Sequence, residues 1–274
     1  MEAIKTLQLI HDYKAATAAL KRQYAAPSHV DQTIDHDTVV IAPNGNIIAV
    51  FLKQVIEPAL HSRAYKSWRA VNELPDNRAT AVGSVYLPRI RKDGTLGERN
   101  AVPKRVLKIL KKQGVRHGML GYLDATPDKS CHKTPLTEKH PKMLLRNKTL
   151  IELVDKLYKQ YRPNIYAIQR AEMQKAPHFR LWRTVFSTIY LAKNFRTAYH
   201  TDSGNLLGVM TALMPMGNFT GGELVLPRWR IAFALKPGDL LLFDPQQLHG
   251  NLPFEGKRLS AAFYCARRIA ACGR

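Results

Sequence analysis

Two histidines and one aspartate carry the clearest chemical signal in the sequence. His200 and Asp202 are separated by a single residue at the end of one strand-like run, and His249 follows a second apolar run. Two imidazoles and one carboxylate are the set that binds Fe(II) on one face and leaves coordination positions open. In an extended strand, residues two apart point to the same side, so His200 and Asp202 can face one cavity. We therefore predict that His200, Asp202 and His249 are the metal ligands and catalytic residues, although any one of the ten histidines alone is better explained as a core or surface residue.

An arginine downstream of the second histidine supports this interpretation. Arg258 stands nine residues after His249, at the start of the strand-like run Arg-Leu-Ser-Ala-Ala-Phe-Tyr. An arginine in an apolar strand is costly unless it meets an anion, and a guanidinium binds a carboxylate through two hydrogen bonds. The sequence therefore predicts a carboxylate co-substrate such as 2-oxoglutarate at Arg258. The alternative is an arginine at a strand edge that faces solvent.

The elements that must position these residues are short strands in the second half of the chain. Candidate strands are residues 183–192, 205–215, 222–227, 230–235, 239–243 and 258–266. Short strands separated by Gly and Pro turns are typical of a double-sheet jelly roll. Tyr264 shares strand parity with Arg258 and can therefore face the same cavity; the alternative is a tyrosine packed in the barrel wall.

The first half is predicted to be largely helical. Apolar spacing predicts helices over residues 2–25, 54–72, 104–113 and 148–161, and Asn44-Gly45 between two β-branched runs predicts a hairpin. We expect an α+β fold in which a double-stranded β-helix (jelly-roll) core, residues 118–274, forms one compact unit with a helical and hairpin extension, residues 1–117, packed around it.

Composition limits the classes of protein to consider. Of 274 residues, 45% are hydrophobic and 23% are charged, which excludes a largely disordered chain. No apolar run approaches the ~18 residues that span a bilayer, and the N-terminus lacks a secretory signal, so we expect an intracellular protein without a membrane partner. The three cysteines include no CxxC pair and are expected to be reduced thiols.

The net charge points to a polyanionic partner. The chain carries 42 Lys and Arg against 21 Asp and Glu, a formal net charge of +21. Residues 89–116 alone hold ten basic residues against Asp93 and Glu98, a local net charge of +8. An unbalanced charge of this size favours nucleic acid and, with it, a nuclear location. For the predicted helix at 104–113 alone, a solvated face is the alternative.

Three motifs together resemble the TET/JBP family of Fe(II)- and 2-oxoglutarate-dependent nucleobase dioxygenases. They are residues 194–202 (NFRTAYHTD), 221–227 (GGELVLP) and 237–251 (PGDLLLFDPQQLHGN). The resemblance runs from about Gly118 to Arg267 and is greatest to members from fungi, protists or phages. A looser match at 118–124, with Cys131 and Thr134 beyond it, is similar to the family's loop that lies against the flipped base.

The resemblance implies a role for each matching residue. His200, Asp202 and His249 would hold Fe(II), Arg258 would bind 2-oxoglutarate, and O₂ would be the co-substrate. Arg196 would help to bind the co-substrate or the base, and Asp124, Asn205 and Tyr264 would contact the base. The product would be a hydroxymethyl base, from 5-methylcytosine first, with thymine and N6-methyladenine as alternatives.

A duplex hides the methyl group, so the base must be flipped out of the stack before it can be oxidised. We expect a monomer that binds duplex DNA carrying a methylated base, with the phosphates on the basic region through Lys104, Arg105 and Lys108. Two alternatives remain: an oxygenase of the same fold that acts on RNA or protein, and a non-catalytic jelly roll that binds nucleic acid.

Overall fold

The computed structural model describes residues 4–75, 80–83, 86–90, 96–100, 102–125 and 130–273. Part of the predicted basic region, residues 91–95 and 101, lies outside these ranges. The strands are β1 (Lys5–Gln8), β2 (Gln32–Ile34), β3 (Thr38–Ile41), β4 (Ile47–Leu52), β5 (Tyr86–Ile90), β6 (Leu96–Asn100), β7 (Arg116–Leu123), β8 (His132–Lys133), β9 (Thr188–Lys193), β10 (Thr211–Gly221), β11 (Leu224–Leu226), β12 (Ile231–Phe233), β13 (Leu240–Phe243), β14 (Gly250–Asn251) and β15 (Phe254–Tyr264).

The described α-helices all come before β9 in the sequence. They are α1 (Lys14–Thr17), α2 (Pro58–Trp68), α3 (Lys104–Lys112), α4 (Pro135–Lys139), α5 (Lys142–Leu145), α6 (Lys148–Tyr161) and α7 (Pro163–Gln174). The helices predicted over 54–72, 104–113 and 148–161 are confirmed as α2, α3 and α6. Among the helices in the described part of the chain, none is long and apolar enough to cross a membrane.

Two sheets face each other and form the predicted jelly roll. One sheet has nine strands in the order β1-β3-β4-β13-β10-β15-β9-β7-β8, and the other has four in the order β14-β11-β12-β2. Phe51 and Leu241 of the large sheet pack with Ile34 and Phe233 of the small sheet in one buried cluster. The Phe51 and Phe233 rings lie edge to face at 5.7 Å. The predicted α+β jelly-roll fold is confirmed.

The opposite face of the large sheet is covered by helices. Leu150, Ile151, Val154 and Tyr158 line one side of α6 at helical spacing and are buried in the same cluster as Phe263 of β15. Proline is tolerated at the first helical position, and α7 accordingly begins at Pro163, directly after α6 has ended. These helices pack against the back of the sheet that carries Arg258.

Strands from the N-terminal half complete both sheets. The predicted hairpin is confirmed, with β3 antiparallel to β4, and β4 in turn pairs with β13. In the small sheet, β2 pairs in parallel with β12. Residues 1–117 and 118–274 thus share hydrogen-bonded sheets, and the boundary predicted at residue 118 lies inside β7. As a domain limit it stays a prediction.

The helix predicted over residues 2–25 is wrong. Residues 5–8 instead form β1, which pairs in parallel with β3, and only residues 14–17 form a short α-helix. Leu7 and Leu9 pack on the cluster between the sheets. The apolar spacing that suggested a helix is satisfied by the edge of the sheet, because tertiary packing overrides a weak local preference.

The expectation of three reduced thiols is also wrong. Cys131 and Cys272 form a disulfide between residues 141 positions apart in sequence, with their Cα atoms 5.7 Å apart. Cys265 is a buried free thiol, and burial raises its pKa above the ordinary value. The disulfide joins the segment before β8 to the C-terminal 3₁₀ turn Ile269–Gly273.

Candidate metal and co-substrate site

The segments that carry His200 and His249 are held together by their backbones. His200 and His249 form an isolated antiparallel bridge, with N···O distances of 2.9 and 3.0 Å. The run that ends in His200 and Asp202 is therefore not the continuous strand that the sequence suggested. The two rings lie 4.4 Å apart between centroids. One local pairing thus fixes two residues that are distant in sequence.

The three predicted ligands converge on one point. The Asp202 carboxylate oxygens lie 3.6 Å from His200 Nε2 and 3.8 Å from His249 Nε2. The candidate ligand atoms all lie within 4.8 Å of one another, so the group could hold a metal ion. The donor set, two imidazole nitrogens and a carboxylate oxygen, fits Fe(II) with open positions for other ligands.

Hydrogen bonds on the far side of each ring set the tautomer that a metal needs. His200 Nδ1 lies 2.8 Å from the Ala198 carbonyl oxygen, and His249 Nδ1 lies 2.9 Å from that of Gln247. A carbonyl only accepts, so each Nδ1 carries the proton and donates it. Each Nε2 then keeps its lone pair toward the other ligands, which is the arrangement found in histidine metal sites.

Arg258 is buried and lines the same cavity as the three candidate ligands. Among the described residues, no carboxylate forms an ion pair with it. Arg258 is 2% exposed, and its Nε has no hydrogen-bond acceptor. Its guanidinium lies 5.4 and 5.7 Å from the ring centroids of Phe219 and Phe254. Burial lowers the pKa of Arg258 to about 10, and the Glu223 carboxylate opposes this effect only in part. A buried donor left unpaired costs about 1–3 kcal/mol, so this site favours an anion.

The strand context of Arg258 differs from the sequence expectation. β15 begins at Phe254, so Arg258 lies within the strand, opposite Gly217 of β10, rather than at a solvent-facing start. Because Gly222 has no side chain, the Arg258 side chain can pack directly against its backbone. A Cβ at this position would lie 3.3 Å from Arg258 Nε. The alternative of a solvent-exposed arginine is excluded by its burial.

One cavity of about 390 Å³ brings together most of the predicted site residues. Its lining includes the three candidate ligands and Arg258, together with Asn205 and Tyr264. Asn205 is buried, and its Nδ2 donates to Thr211 Oγ1 at 2.8 Å, which fixes the orientation of the amide. The Tyr264 hydroxyl lies 3.9 Å from Met119 Sδ. Both side chains therefore line the same cavity as the three candidate ligands.

Arg196 and Asp124 are not brought to this cavity. The Arg196 guanidinium lies 4.8 Å from the Tyr24 ring centroid and donates to the Ala25 carbonyl oxygen at 2.8 Å. The Asp124 carboxylate accepts from the Arg268 backbone N–H at 2.8 Å. Arg196 therefore fastens the N-terminal segment to the core, and Asp124 fastens the end of β7 to the C-terminal turn.

The three predicted phosphate-contacting residues lie on the exposed face of α3. Lys104, Arg105 and Lys108 are all exposed. The opposite face of α3 packs through Leu110 on a cluster that includes Ala81, Ala192 and Phe195, and these three residues also line the cavity. Helix α3 therefore packs with its buried face on the cavity wall and presents its basic face to solvent.

Several cavity residues were missed from the sequence. Thr80 and Ala81 line the cavity although they lie far upstream of the motifs, and Tyr190 of β9 adds a second tyrosine beside Tyr264. Ala81 reaches the site because its carbonyl accepts from Ala198 N, two residues before His200. Strand parity could have pointed to Tyr190, whereas nothing in the local sequence marks Thr80 or Ala81.

The family model Tet_JBP, described as the oxygenase domain of the 2OGFeDO superfamily, matches residues 118–267 of this chain. The chain belongs to the Tet_JBP family. The match covers the interval over which the motifs resemble TET/JBP proteins, and that prediction is confirmed. The chain therefore carries a 2-oxoglutarate-dependent dioxygenase domain.

Two curated relatives of this Tet_JBP domain are proteins of Trypanosoma brucei brucei. "Bifunctional helicase and thymine dioxygenase JBP2" of Trypanosoma brucei brucei is 40% identical over 156 residues, which is 54% of this chain and 14% of that protein. "Thymine dioxygenase JBP1" of the same organism is 34% identical over 160 residues, 54% of this chain and 19% of that protein. The chain thus spans a small part of the length of the relatives it matches.

A solved structure of similar fold is "NgTET1 in complex with 5mC DNA". It covers 97% of this chain and 83% of its own, with a TM-score of 0.61 and 12% sequence identity. At this identity the likeness concerns the fold alone. It extends over the N-terminal strands as well as the Tet_JBP core.

Proposed function

We propose that this chain uses Fe(II), 2-oxoglutarate and O₂ to oxidise the methyl group of a base in DNA. The observation that carries the proposal is that Arg258, buried and without an acceptor for its Nε, lines the same cavity as His200, Asp202 and His249. A metal triad alone fits many reactions, but a triad with a buried cation fits a co-substrate that ends in a carboxylate.

His200, Asp202 and His249 would hold the iron. When bound, Fe(II) with 2-oxoglutarate and O₂ supplies an oxidant that converts a C–H bond of the methyl group to C–OH, while 2-oxoglutarate leaves as succinate and CO₂. The protein contributes ligand geometry. The Ala198 and Gln247 carbonyls hold the imidazoles in the tautomer that binds metal, and the Asp202 carboxylate oxygens lie 3.6 and 3.8 Å from the two Nε2 atoms.

Arg258 would bind the distal carboxylate of 2-oxoglutarate. Its planar guanidinium matches a carboxylate in a bidentate pair, and such charge-assisted hydrogen bonds strengthen in a site from which water is excluded. Phe219 and Phe254 keep the guanidinium within a low-polarity pocket. The desolvation that lowers the pKa of Arg258 would then be offset by the bound anion.

Tyr264 and Asn205 are the candidates for contact with the flipped base. Base flipping costs roughly a few kcal/mol, and stacking on an aromatic ring offsets part of this cost. Tyr264 is 9% exposed at the cavity wall, and Asn205 is held at 6% exposure by Thr211. Both roles follow from position: a base entering this cavity meets an aromatic ring and an oriented amide.

The basic face of α3 would contact the DNA backbone. Lys104, Arg105 and Lys108 are exposed on a helix whose buried side packs on residues that line the cavity. A formal net charge of +21 supports binding to a polyanion. A duplex bound through α3 would thus present its bases near the cavity. DNA as the substrate also underlies the predicted nuclear location.

A 5-methylpyrimidine is the base class that the relatives favour. The names of the JBP relatives specify thymine, and the similar fold of NgTET1 was solved with 5-methylcytosine DNA. The two bases share the 5-methyl group and differ at the 4-position. The sequence prediction of 5-methylcytosine stays a prediction, with thymine as the alternative favoured by the curated relatives.

The test is a reaction with one modified base per substrate. Duplexes that carry 5-methylcytosine, thymine or N6-methyladenine are incubated with protein, Fe(II) and 2-oxoglutarate, then digested and analysed as nucleosides by mass spectrometry. A hydroxymethyl or demethylated nucleoside that is absent in His200→Ala supports the proposal and names the base. Succinate formed only with RNA or peptide would reject DNA as the substrate, and no product with any substrate would reject the activity.

A further inference from the structure

The turn between β13 and β14 contacts two of the candidate metal ligands. Asp202 N donates to the Pro245 carbonyl oxygen at 2.9 Å, and Gln246 Nε2 donates to the Asp202 carbonyl oxygen at 3.0 Å. The Gln247 carbonyl oxygen accepts from His249 Nδ1 at 2.9 Å. Three consecutive residues, 245–247, therefore touch Asp202 and His249.

The side chain of Gln247 anchors this turn to a buried indole. Trp229 Nε1 donates to Gln247 Oε1, and the two residues are 6% and 8% exposed. Trp229 belongs to the 3₁₀ turn Pro227–Trp229, which lies between β11 and β12 of the small sheet. The backbone carbonyl of Gln247, which orients His249, is thus anchored to the small sheet through the side-chain amide of Gln247.

The side chain of Gln246 holds Asp202 from the other direction. Asp202 lies outside regular strand structure, so its position depends on individual contacts. Its backbone N–H and carbonyl bond to Pro245 and Gln246, and its carbonyl also accepts from Asn205 N at 3.0 Å. The Gln246 backbone N–H is itself bonded to Asp244 Oδ1 at 2.9 Å.

We propose that Gln246 and Gln247 are positioning residues that hold Asp202 and His249 in a geometry ready to bind metal. This rests on the metal site of the proposed function. Three ligands must hold their atoms within about half an ångström to bind a metal tightly, and neither ligand segment has a full strand to supply that precision. Loss of an outer partner of a metal ligand typically weakens metal affinity by about 10- to 100-fold.

The test measures metal binding directly, without turnover. Metal-free wild type, Gln246→Met and Gln247→Met are titrated with Co(II), whose visible absorption reports ligand geometry, and with Fe(II) under anaerobic conditions. Methionine keeps side-chain length and removes the amide. We expect about 10- to 100-fold weaker binding in each variant and an altered Co(II) spectrum.

Gln169 provides the matched control. Its amide is also buried, accepting from Tyr158 Oη and donating to the Val185 carbonyl, but it contacts none of the candidate ligands. Gln169→Met is expected to lower the melting temperature of the metal-free protein and leave Co(II) affinity unchanged. Equal metal affinity and spectra in wild type and the two turn variants, with only the melting temperature lowered, would reduce both glutamines to structural residues and overturn the proposal.

A double-mutant cycle tests the Trp229 connection. Trp229→Phe removes the indole donor and should weaken Co(II) binding to a similar extent as Gln247→Met, with no further loss in the double variant. Additive losses would contradict a shared hydrogen bond. Gln246 is only partly buried, so Gln246→Met decides the proposal if Gln247→Met does not fold. A wild type that binds no metal would overturn the proposed function as well, whereas tight wild-type binding with unaffected turn variants overturns only the positioning role.

Discussion

The backbones of His200 and His249 pair with each other directly, through two hydrogen bonds of 2.9 and 3.0 Å. This bridge lies outside the named strands and aligns the two imidazoles at 4.4 Å. It explains how a site with three ligands on two separated segments can form without a continuous strand beneath it. The site depends on backbone hydrogen bonds between these two segments.

Replacing His200 with alanine should abolish iron retention. The remaining two ligands, Asp202 and His249, cannot complete a facial site. Iron content after anaerobic loading and desalting, measured by elemental analysis, checks this. His178→Ala, at an exposed histidine that is not among the residues lining the cavity, is the control. Unchanged iron content in His200→Ala would remove His200 from the ligand set.

Replacing Arg258 with glutamine should raise the apparent KM for 2-oxoglutarate by about 10- to 100-fold, because a charge-assisted pair worth roughly 1.5–3 kcal/mol is lost. The dissociation constant for DNA should change little. Lys257→Gln removes a neighbouring exposed charge and is the control. If the DNA dissociation constant and the KM for 2-oxoglutarate rise equally, Arg258 has a general structural role.

Charge reversal on α3 should weaken DNA binding and flatten its salt dependence. The triple variant carries Lys104→Glu, Arg105→Glu and Lys108→Glu and loses the phosphate contacts of these residues. Each lost contact reduces the magnitude of the slope of log affinity against log salt concentration by about 0.9. The same reversal at Lys148, Lys156 and Lys159, exposed on α6, changes net charge equally and serves as the control. An identical decrease in both variants would indicate an effect of net charge alone.

Reduction of the disulfide between Cys131 and Cys272 should lower the melting temperature. The bond closes a loop of 141 positions and so restricts the unfolded chain. The resulting loss of chain entropy in the unfolded state predicts a stabilisation of at most about 5 kcal/mol. Calorimetry with and without dithiothreitol measures the shift. Cys272→Ser should melt at the lower temperature in both conditions. A reductant-independent melting temperature in wild type would show that the bond does not stabilise the fold.

Much of the site could be predicted because its signals are local. The spacing of His200 and Asp202, the later His249 and the trailing Arg258 all lie within short motifs, and the structure places them around one cavity. Tyr264 was found by strand parity, since β15 is regular over its length.

The remaining features depend on contacts between distant segments. Arg196 lies in a motif, yet Tyr24 and Ala25, far upstream, determine where its guanidinium lies. Asp124 is held outside the cavity by a hydrogen bond from the Arg268 backbone N–H, and Cys131 is bonded to Cys272 in the disulfide. Residues 5–8 form a strand only because β3 offers a partner. No local pattern in the sequence encodes such pairings.

The most direct test of the central claim is the stoichiometry of a single reaction. The purified protein, loaded anaerobically with Fe(II), is given 2-oxoglutarate, O₂ and duplex DNA, and succinate and oxidised base are both quantified. We expect one succinate for each hydroxymethyl group formed, with both products absent in His200→Ala. In Arg258→Gln, both products should be reduced at low 2-oxoglutarate and restored toward wild type at high 2-oxoglutarate. Succinate released without any oxidised base in DNA would contradict the proposed function.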